Sequence, residues 1–167
     1  MKMFRHLAVM AVFSLSVAGV NAQDFDKGLA AYEVLDYQGA LKEWLPLAEK
    51  GDAAAQSMTA YMFYNGYGVK QDYEKAFKWN YLSAIQGRSA SQGALGGLYE
   101  KGEGVLQSFI KAHMWYNISS KTSEPFWADL PRGNRNKIEA QMTPEDISKA
   151  QAMASECLSS GYANCGE

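Results

Sequence analysis

Residues 51–86 read GDAAAQSMTAYMFYNGYGVKQDYEKAFKWNYLSAIQ, and residues 87–122 read GRSASQGALGGLYEKGEGVLQSFIKAHMWYNISSKT. The second stretch is the first written again. Gly51 recurs as Gly87, Ala54 as Ala90 and Gln56 as Gln92, while Gly66, Gly68 and Val69 recur as Gly102, Gly104 and Val105. Gln71, Lys75, Ala76, Trp79 and Ser83 recur as Gln107, Lys111, Ala112, Trp115 and Ser119, all 36 residues apart without a gap. A period of roughly 20–50 residues marks a solenoid, whose units cannot bury their apolar faces alone and therefore stack.

Each unit resolves into two helices. Asp52 and Ser89 are the expected N-caps of the first helices, and Asp72 and Ser108 those of the second. Between them lie Asn65-Gly66-Tyr67-Gly68-Val69 and Lys101-Gly102-Glu103-Gly104-Val105. The glycines there suit backbone angles that other residues resist, and the valines can plug the space between helices. The second helices are expected to run to Gln86 and about Ser120, with Gly87 as a helix stop.

The 36-residue offset continues upstream. Tyr37, Tyr73 and Phe109 are successive equivalents, as are Ala40, Ala76 and Ala112. Asp36 to Lys50 thus reads as the second helix of an abbreviated first unit. That unit lacks the glycine turn, because Ala30 and Tyr32 stand where the glycines would be. Asp24 to Val34 is predicted as its first helix, with Phe25, Leu29 and Tyr32 on one face. The alanines mark close helix approach. Trp79 and Trp115 are expected to fill the space between successive hairpins, a core role suited to their large buried area.

Downstream the pattern breaks. Pro125, Pro131 and Gly133 make the segment from Thr122 a loop, with Phe126 and Trp127 tucked back onto the last hairpin. A helix is expected to restart over Asn134 to Gln141. Thr143-Pro144-Glu145-Asp146 is a start signal for a final helix to about Ser160, which Gly161 ends. The chain is accordingly read as an all-α, α/α superhelical solenoid of about four hairpins. Its units are 23–50, 51–86 and 87–122, and residues 123–167 form a C-terminal capping helix pair.

The first 22 residues differ from the rest. Lys2 and Arg5 precede a mostly apolar run from Leu7 to Val17, and Val20-Asn21-Ala22 has the small-x-small form of a secretory cleavage site. The run is short for a membrane span; an N-terminal membrane anchor is the alternative. The mature chain is expected to be one domain, 23–167, secreted across the inner membrane to the periplasm, with the extracellular medium as the alternative destination. Without Lys2 and Arg5, 14 of the 16 basic residues remain against 18 acidic ones, a net charge of −4. That balance gives no basic stripe for nucleic acid. In an exported protein the lone pair Cys157 and Cys165 is expected to form a disulfide; no further cysteine or nearby histidine completes a metal site.

These residues resemble the Sel1-like repeat family, relatives of the tetratricopeptide repeats. Leu95-Gly96, Tyr99, Gly102, Gly104-Val105, Lys111-Ala112 and Trp115-Tyr116 match the family unit closely. Residues 51–86 match with Thr59-Ala60 in place of Leu-Gly and Phe63 in place of Tyr. Met142-Thr143-Pro144-Glu145-Asp146-Ile147 is similar to the ending of many bacterial members. The resemblance covers roughly residues 30–160. It implies a right-handed stack of helix pairs that binds other molecules, usually proteins, on a curved surface. Exported cysteine-rich relatives linked to β-lactam hydrolysis or binding carry a cysteine pair in each repeat, which this chain does not.

The chain has no Gly-x-Ser-x-Gly, no paired-histidine metal motif and no phosphate loop. His113, the one histidine left after processing, takes the place of Leu41 and Phe77 and is read as a packing position. Glu100 and Glu103 are read as a solvated helix end, with a carboxylate pair as the alternative. No catalytic residue, metal or cofactor is assigned. The expected function is an exported scaffold or adaptor for a protein or peptide partner in the cell envelope; the alternative is an exported hydrolase or a binder of cell-wall components. In the resembled family the first helices line the concave face. Register then leaves Met58, Tyr61 and Tyr64, with Ser57 as a further candidate, on the exposed side; the matching positions one unit on are Ala94, Gly97, Glu100 and Gly93, and together they are expected to form a shallow groove for the partner.

Overall fold

The structure is a computed structural model and describes residues 18–125 and 128–165. Among them are eight helices and no strand: α1 (Ala18–Glu33), α2 (Tyr37–Glu49), α3 (Ala53–Asn65), α4 (Tyr73–Ala84), α5 (Ser89–Lys101), α6 (Phe109–Thr122), α7 (Asp129–Glu139) and α8 (Pro144–Ser159). Lys2, Arg5 and most of the expected leader, together with Phe126 and Trp127, lie outside the described residues. None of the described helices is long and apolar enough to cross a membrane.

Each helix packs on the next as far as α7, which makes the chain an all-α solenoid of helical hairpins. The start signals work as chemistry requires. Asp36, Asp52, Asp72, Ser108 and Thr143 each accept a backbone N–H three residues on. Ser89 does not cap: α5 begins at Ser89 itself, Arg88 precedes it, and no side chain bonds to the helix start. The Ser89 carbonyl instead accepts the Ser119 hydroxyl at 2.9 Å, just as the Ala53 carbonyl accepts Ser83 at 2.7 Å.

The turns explain the paired glycines. Gly66 and Gly102 end their helices at φ +71° and +73°, and Gly68 and Gly104 follow at +69° and +72°. The second glycine has an additional reason. A Cβ on Gly68 would lie 2.7 Å from the Tyr37 carbonyl carbon, and one on Gly104 would collide with the Tyr73 backbone. Each turn therefore rests on the N-terminus of the preceding unit's second helix. The repeated glutamines close the loops: Gln71 and Gln107 donate to the Tyr64 and Glu100 carbonyls at 2.8 Å. Gln56 and Gln92, both buried, reach back to the Ala48 and Ala84 carbonyls at 3.1 Å.

Two apolar clusters hold the stack. The N-terminal one centres on Ala40, Trp44, Leu47, Ala55 and Met62. Trp44 is not the repeat equivalent of Trp79, yet it is the fully buried indole of this end and donates to the Phe25 carbonyl at 3.1 Å. It packs where a Cβ on Gly28 would collide with it, so the buried face of α1 carries Phe25, Gly28, Ala31 and Tyr32. Leu29, expected on that face, is exposed. The C-terminal cluster includes Leu95, Leu98, Ala112, Trp115, Ile118, Ile138 and Ala154. Trp115 is 1% exposed, whereas Trp79 is only half-buried against the N-terminal cluster.

The C-terminal end departs from the expected loop. α7 begins at Asp129 and includes Pro131 and Gly133. Pro131 falls in the first turn, where a missing N–H costs no intrahelical bond. α7 and α8 both pack on α6, and neither packs appreciably on the other, so the two cap one helix from two sides rather than pairing as a hairpin. Cys157, at the end of α8, is bonded to Cys165 with Cα atoms 4.5 Å apart. This brings the tail back, and Tyr162 lies beside Gly87 at the end of α4.

Candidate functional site

Stacking leaves one cleft between α3 and α5 over α4 and another between α5 and α7 over α6. The cleft between α3 and α5 has a volume of about 350 Å³. Its walls are Ser57, Tyr61, Tyr64 and Asn65 from α3 and Ala90, Ala94, Gly97, Leu98 and Lys101 from α5, with Asn80 of α4 beneath. The cleft between α5 and α7, about 610 Å³, is lined by Ala90, Gly93 and Ala94, by Tyr116 and Ser119 of α6, and by Leu130, Pro131 and Asn134 of α7.

The two clefts are one site repeated. Ser57, Asn80, Ala94 and Leu98 in the first correspond at 36 residues to Gly93, Tyr116, Leu130 and Asn134 in the second. Ala90 and Ala94 belong to both, so the clefts adjoin across α5. α7, whose first half reads in sequence as loop, supplies the outer wall of the second.

The expected groove residues distribute unevenly over this surface. Tyr61, Tyr64 and Gly97 line the first cleft and Gly93 the second. Met58 lines neither; it packs half-buried on the N-terminal cluster. Glu100 is held at the edge, accepting the Tyr116 hydroxyl at 2.7 Å with Lys137 at 3.9 Å. Glu103 accepts the Tyr64 hydroxyl at 2.9 Å and faces Lys101 at 3.7 Å. The two carboxylates therefore serve different tyrosines and do not form a pair. Sequence reasoning missed Asn80, Ala90 and Lys101, whereas Ala94, the register match of Met58, does line both clefts. Only the structure shows that α4 supplies the floor and that α5 is a wall on both sides.

The tyrosines carry the electrostatics. Tyr61 is 44% exposed and meets Tyr32 and Tyr67 edge-on, and Tyr67 stacks on Tyr37 at 4.5 Å. The hydrogen bond with Tyr32 raises the Tyr61 hydroxyl above the ordinary phenol value. Burial, then the Glu100 carboxylate, pushes Tyr116 far above it. The Tyr64 hydroxyl, accepting from Lys101 at 2.9 Å, holds that ammonium above its usual value. Gly96 and Gly97 have different causes. A Cβ on Gly96 would run into the Tyr116 ring at 2.5 Å, whereas one on Gly97 would meet only the Tyr116 hydroxyl, at 3.6 Å.

His113 is fully buried. Its Nε2 lies 2.7 Å from Glu139, which also pairs with Arg135 at 3.5 Å, and its Nδ1 has no partner. It lines neither cleft, so it ties α7 to α6 and meets no solvent-borne molecule. Among the described residues no group of three or more His, Cys, Asp or Glu side chains is placed to hold a metal.

Comparison with known proteins agrees with the repeat register. The profile of the Sel1 repeat matches residues 53–87 and 89–121. The chain is similar to the crystal structure of a protective antigen present in uropathogenic Escherichia coli strains, described as displaying an SLR fold. There the TM-score is 0.77 and the identity 25%, over 87% of this chain and 32% of that one. It is also similar to a Sel1 repeat protein from Oxalobacter formigenes, with a TM-score of 0.59 and 26% identity over 65% of this chain and 33% of that one. The chain thus spans about a third of the length of these solved proteins. No curated protein matches it.

Proposed function

We propose that this chain, a solenoid containing Sel1 repeats at two positions, is an exported scaffold that binds a protein partner along its first-helix face. The observation that carries the reading is the pair of adjoining clefts, alike in register and sharing α5 as a wall, with the exposed Tyr61 at their edge. Tyrosine is a favoured interface anchor, because it adds large area at little conformational cost. The chain acts by binding rather than by catalysis. Its one histidine beyond the leader is sealed between α6 and α7. Glu100 and Glu103 at the cleft edges are taken up by tyrosines and lysines, which leaves Glu124 as the carboxylate in the lining of the second cleft.

The site of action is the cell envelope, with the periplasm as the compartment. The leader pattern of Lys2, Arg5, the apolar run and Val20-Asn21-Ala22 supports export, and the Cys157–Cys165 bond fits an oxidising compartment. Mass spectrometry of the exported protein is expected to give a chain starting at Gln23; a full-length membrane-bound product overturns the export reading.

The binding surface is tested by affinity capture from envelope extract with residues 23–167, comparing wild type with Tyr61→Ala and Gly97→Leu. A partner retained by wild type and lost by both variants, at unchanged helicity, supports the reading. A partner held equally by all three removes the first-helix face as the interface.

A further inference from the structure

A third cavity, of about 590 Å³, has no first-helix residue in its lining. It lies where the end of α4 meets the end of α8 and the disulfide-closed tail, among Tyr81, Ile85, Met153, Glu156, Tyr162 and Asn164. It shares no residue with either cleft and is not a feature of the repeat: 36 residues on, Tyr81 and Ile85 become Asn117 and Lys121. Two helix C-termini converge there, and neither α4 nor α8 has a basic residue in its last turn. The negative ends of both macrodipoles are thus left without a cation. Glu156, in the last turn of α8, is the one charged side chain of the lining. Its carboxylate accepts the Asn164 amide at 3.5 Å, and among the described residues no cation pairs with it. Tyr162 stands at φ +70°, a left-handed angle that L side chains resist. The tail holds it there: its N–H donates to the Cys157 carbonyl at 2.8 Å, and Cys165 is bonded back to Cys157. Backbone strain of this kind gathers at ligand clamps.

We propose that this cavity binds an alkylammonium group carried by a small molecule, seated against the Tyr81 and Tyr162 side chains with Glu156 as its counter-charge. Aromatic rings attract cations through their quadrupole, and quaternary ammonium groups are recognised in this way. Both tyrosines are fixed in place. Tyr81 packs on Phe77 at 6.4 Å and edge-on with Trp115 at 6.3 Å. Tyr162 rests on Gly87, where a Cβ would lie 3.5 Å from its ring. Ile85 and Met153, both packed on the C-terminal cluster, give the methyl or methylene groups of such a cation an apolar contact, and the Met thioether adapts to irregular shapes. An anion would meet Glu156 and two negative helix ends, and an uncharged ligand would gain nothing from them. This site stands apart from the first-helix face and does not depend on it.

The test titrates residues 23–167 with choline chloride and with neohexanol, in which carbon replaces the charged nitrogen, and follows backbone amide shifts by NMR. Choline is expected to bind at least about tenfold more tightly than the alcohol, or about 1.4 kcal/mol, with the shifts centred on Tyr81, Ile85, Met153 and Tyr162. Glu156→Gln keeps the shape and removes the charge. It is expected to lose that tenfold for choline and to leave the alcohol unchanged. Tyr162→Phe should bind choline as wild type does, and Tyr162→Leu about tenfold more weakly. Tyr61→Ala and Gly97→Leu should bind choline normally, so this site and the first-helix face can fail separately. No saturable choline binding, equal affinities for choline and the alcohol, an unaffected Glu156→Gln, or shifts centred on the α3–α5 cleft overturns the proposal. Glu156 is exposed, so its replacement decides the matter even if Tyr162→Leu folds poorly.

Discussion

Gly104 lies against the backbone of Tyr73, so close that a Cβ would collide with the Tyr73 carbonyl. Gly102, two residues earlier and at nearly the same φ, faces only Gln107, at 3.3 Å or more. The two glycines of one turn thus answer different demands, one conformational and one conformational and steric. Gly102→Ala is expected to cost about 1–2 kcal/mol from the left-handed backbone alone. Gly104→Ala adds about 1–3 kcal/mol of overpacking. Urea denaturation of both variants checks the ordering, and equal losses contradict it.

Gly96 and Gly97 make a second contrast, on α5. Gly96→Ala forces a methyl into the Tyr116 ring and is expected to destabilise. Gly97→Ala meets open space apart from the Tyr116 hydroxyl and should stabilise the helix by up to about 1 kcal/mol, the propensity difference. Thermal melts of the pair decide it. A stable Gly97→Ala that binds partner more weakly marks that glycine as kept for the cleft.

The two repeated tryptophans differ in burial, so they should differ in cost. Trp115→Ala is expected to lose about 3–5 kcal/mol, as a fully buried indole does. Trp79→Ala should lose less, because its ring is half-buried and partly roofed by the Lys78 ammonium at 5.9 Å. Matched chemical denaturation curves test the difference.

The Cys157–Cys165 bond closes a short loop, for which chain entropy gives about 2–3 kcal/mol. Thiol titration of the native protein should find no free thiol. Cys165→Ser should lower the melting temperature and increase hydrogen exchange at the end of α8 before it affects α3 or α4. Two reactive thiols in native material would contradict the pairing.

Alkaline pH should weaken the fold in a predictable way. Burial and Glu100 raise the Tyr116 hydroxyl, burial raises Tyr99, and the Tyr32 hydrogen bond raises Tyr61. Above the unfolded phenol value of about 10, the unfolded chain releases these protons while the folded chain keeps them. Their contribution is therefore complete below about pH 10 and is lost as pH rises through the folded values. Tyr116→Phe should flatten that limb of the stability profile; an unchanged slope assigns the effect elsewhere.

Much of the fold was legible because the chain writes its unit twice. The 36-residue register located the hairpins, three of the four caps assigned within the repeats and the glycine turns. The same comparison concealed Asn80, since its equivalent is Tyr116 and a difference between copies does not announce itself as a feature. Met58 was assigned to the exposed side when the units were aligned, with Ala94 as its match; it instead packs half-buried on the cluster of α2 and α3, a contact that depends on how an abbreviated first unit packs. The first half of α7 was read as loop, with the helix starting only at Asn134, because Pro131 and Gly133 look like breakers, although proline in a first turn interrupts nothing. Glu139 could not be linked to His113 from sequence, because 26 residues and a change of direction separate them.

The position of α8 has a consequence for the length of the array. By lying along α6 and anchoring its tail near Gly87, it occupies the outer side of the stack without supplying a partner for α7. The two junctions before it share one turn-to-helix contact, Gly68 on Tyr37 and Gly104 on Tyr73. A tandem duplication of residues 51–86 would place each new turn glycine against a tyrosine-led helix start, as Gly104 already sits against Tyr73. The chain is thus built to lengthen from within, in whole steps of 36 residues, each adding one cleft and leaving both ends untouched.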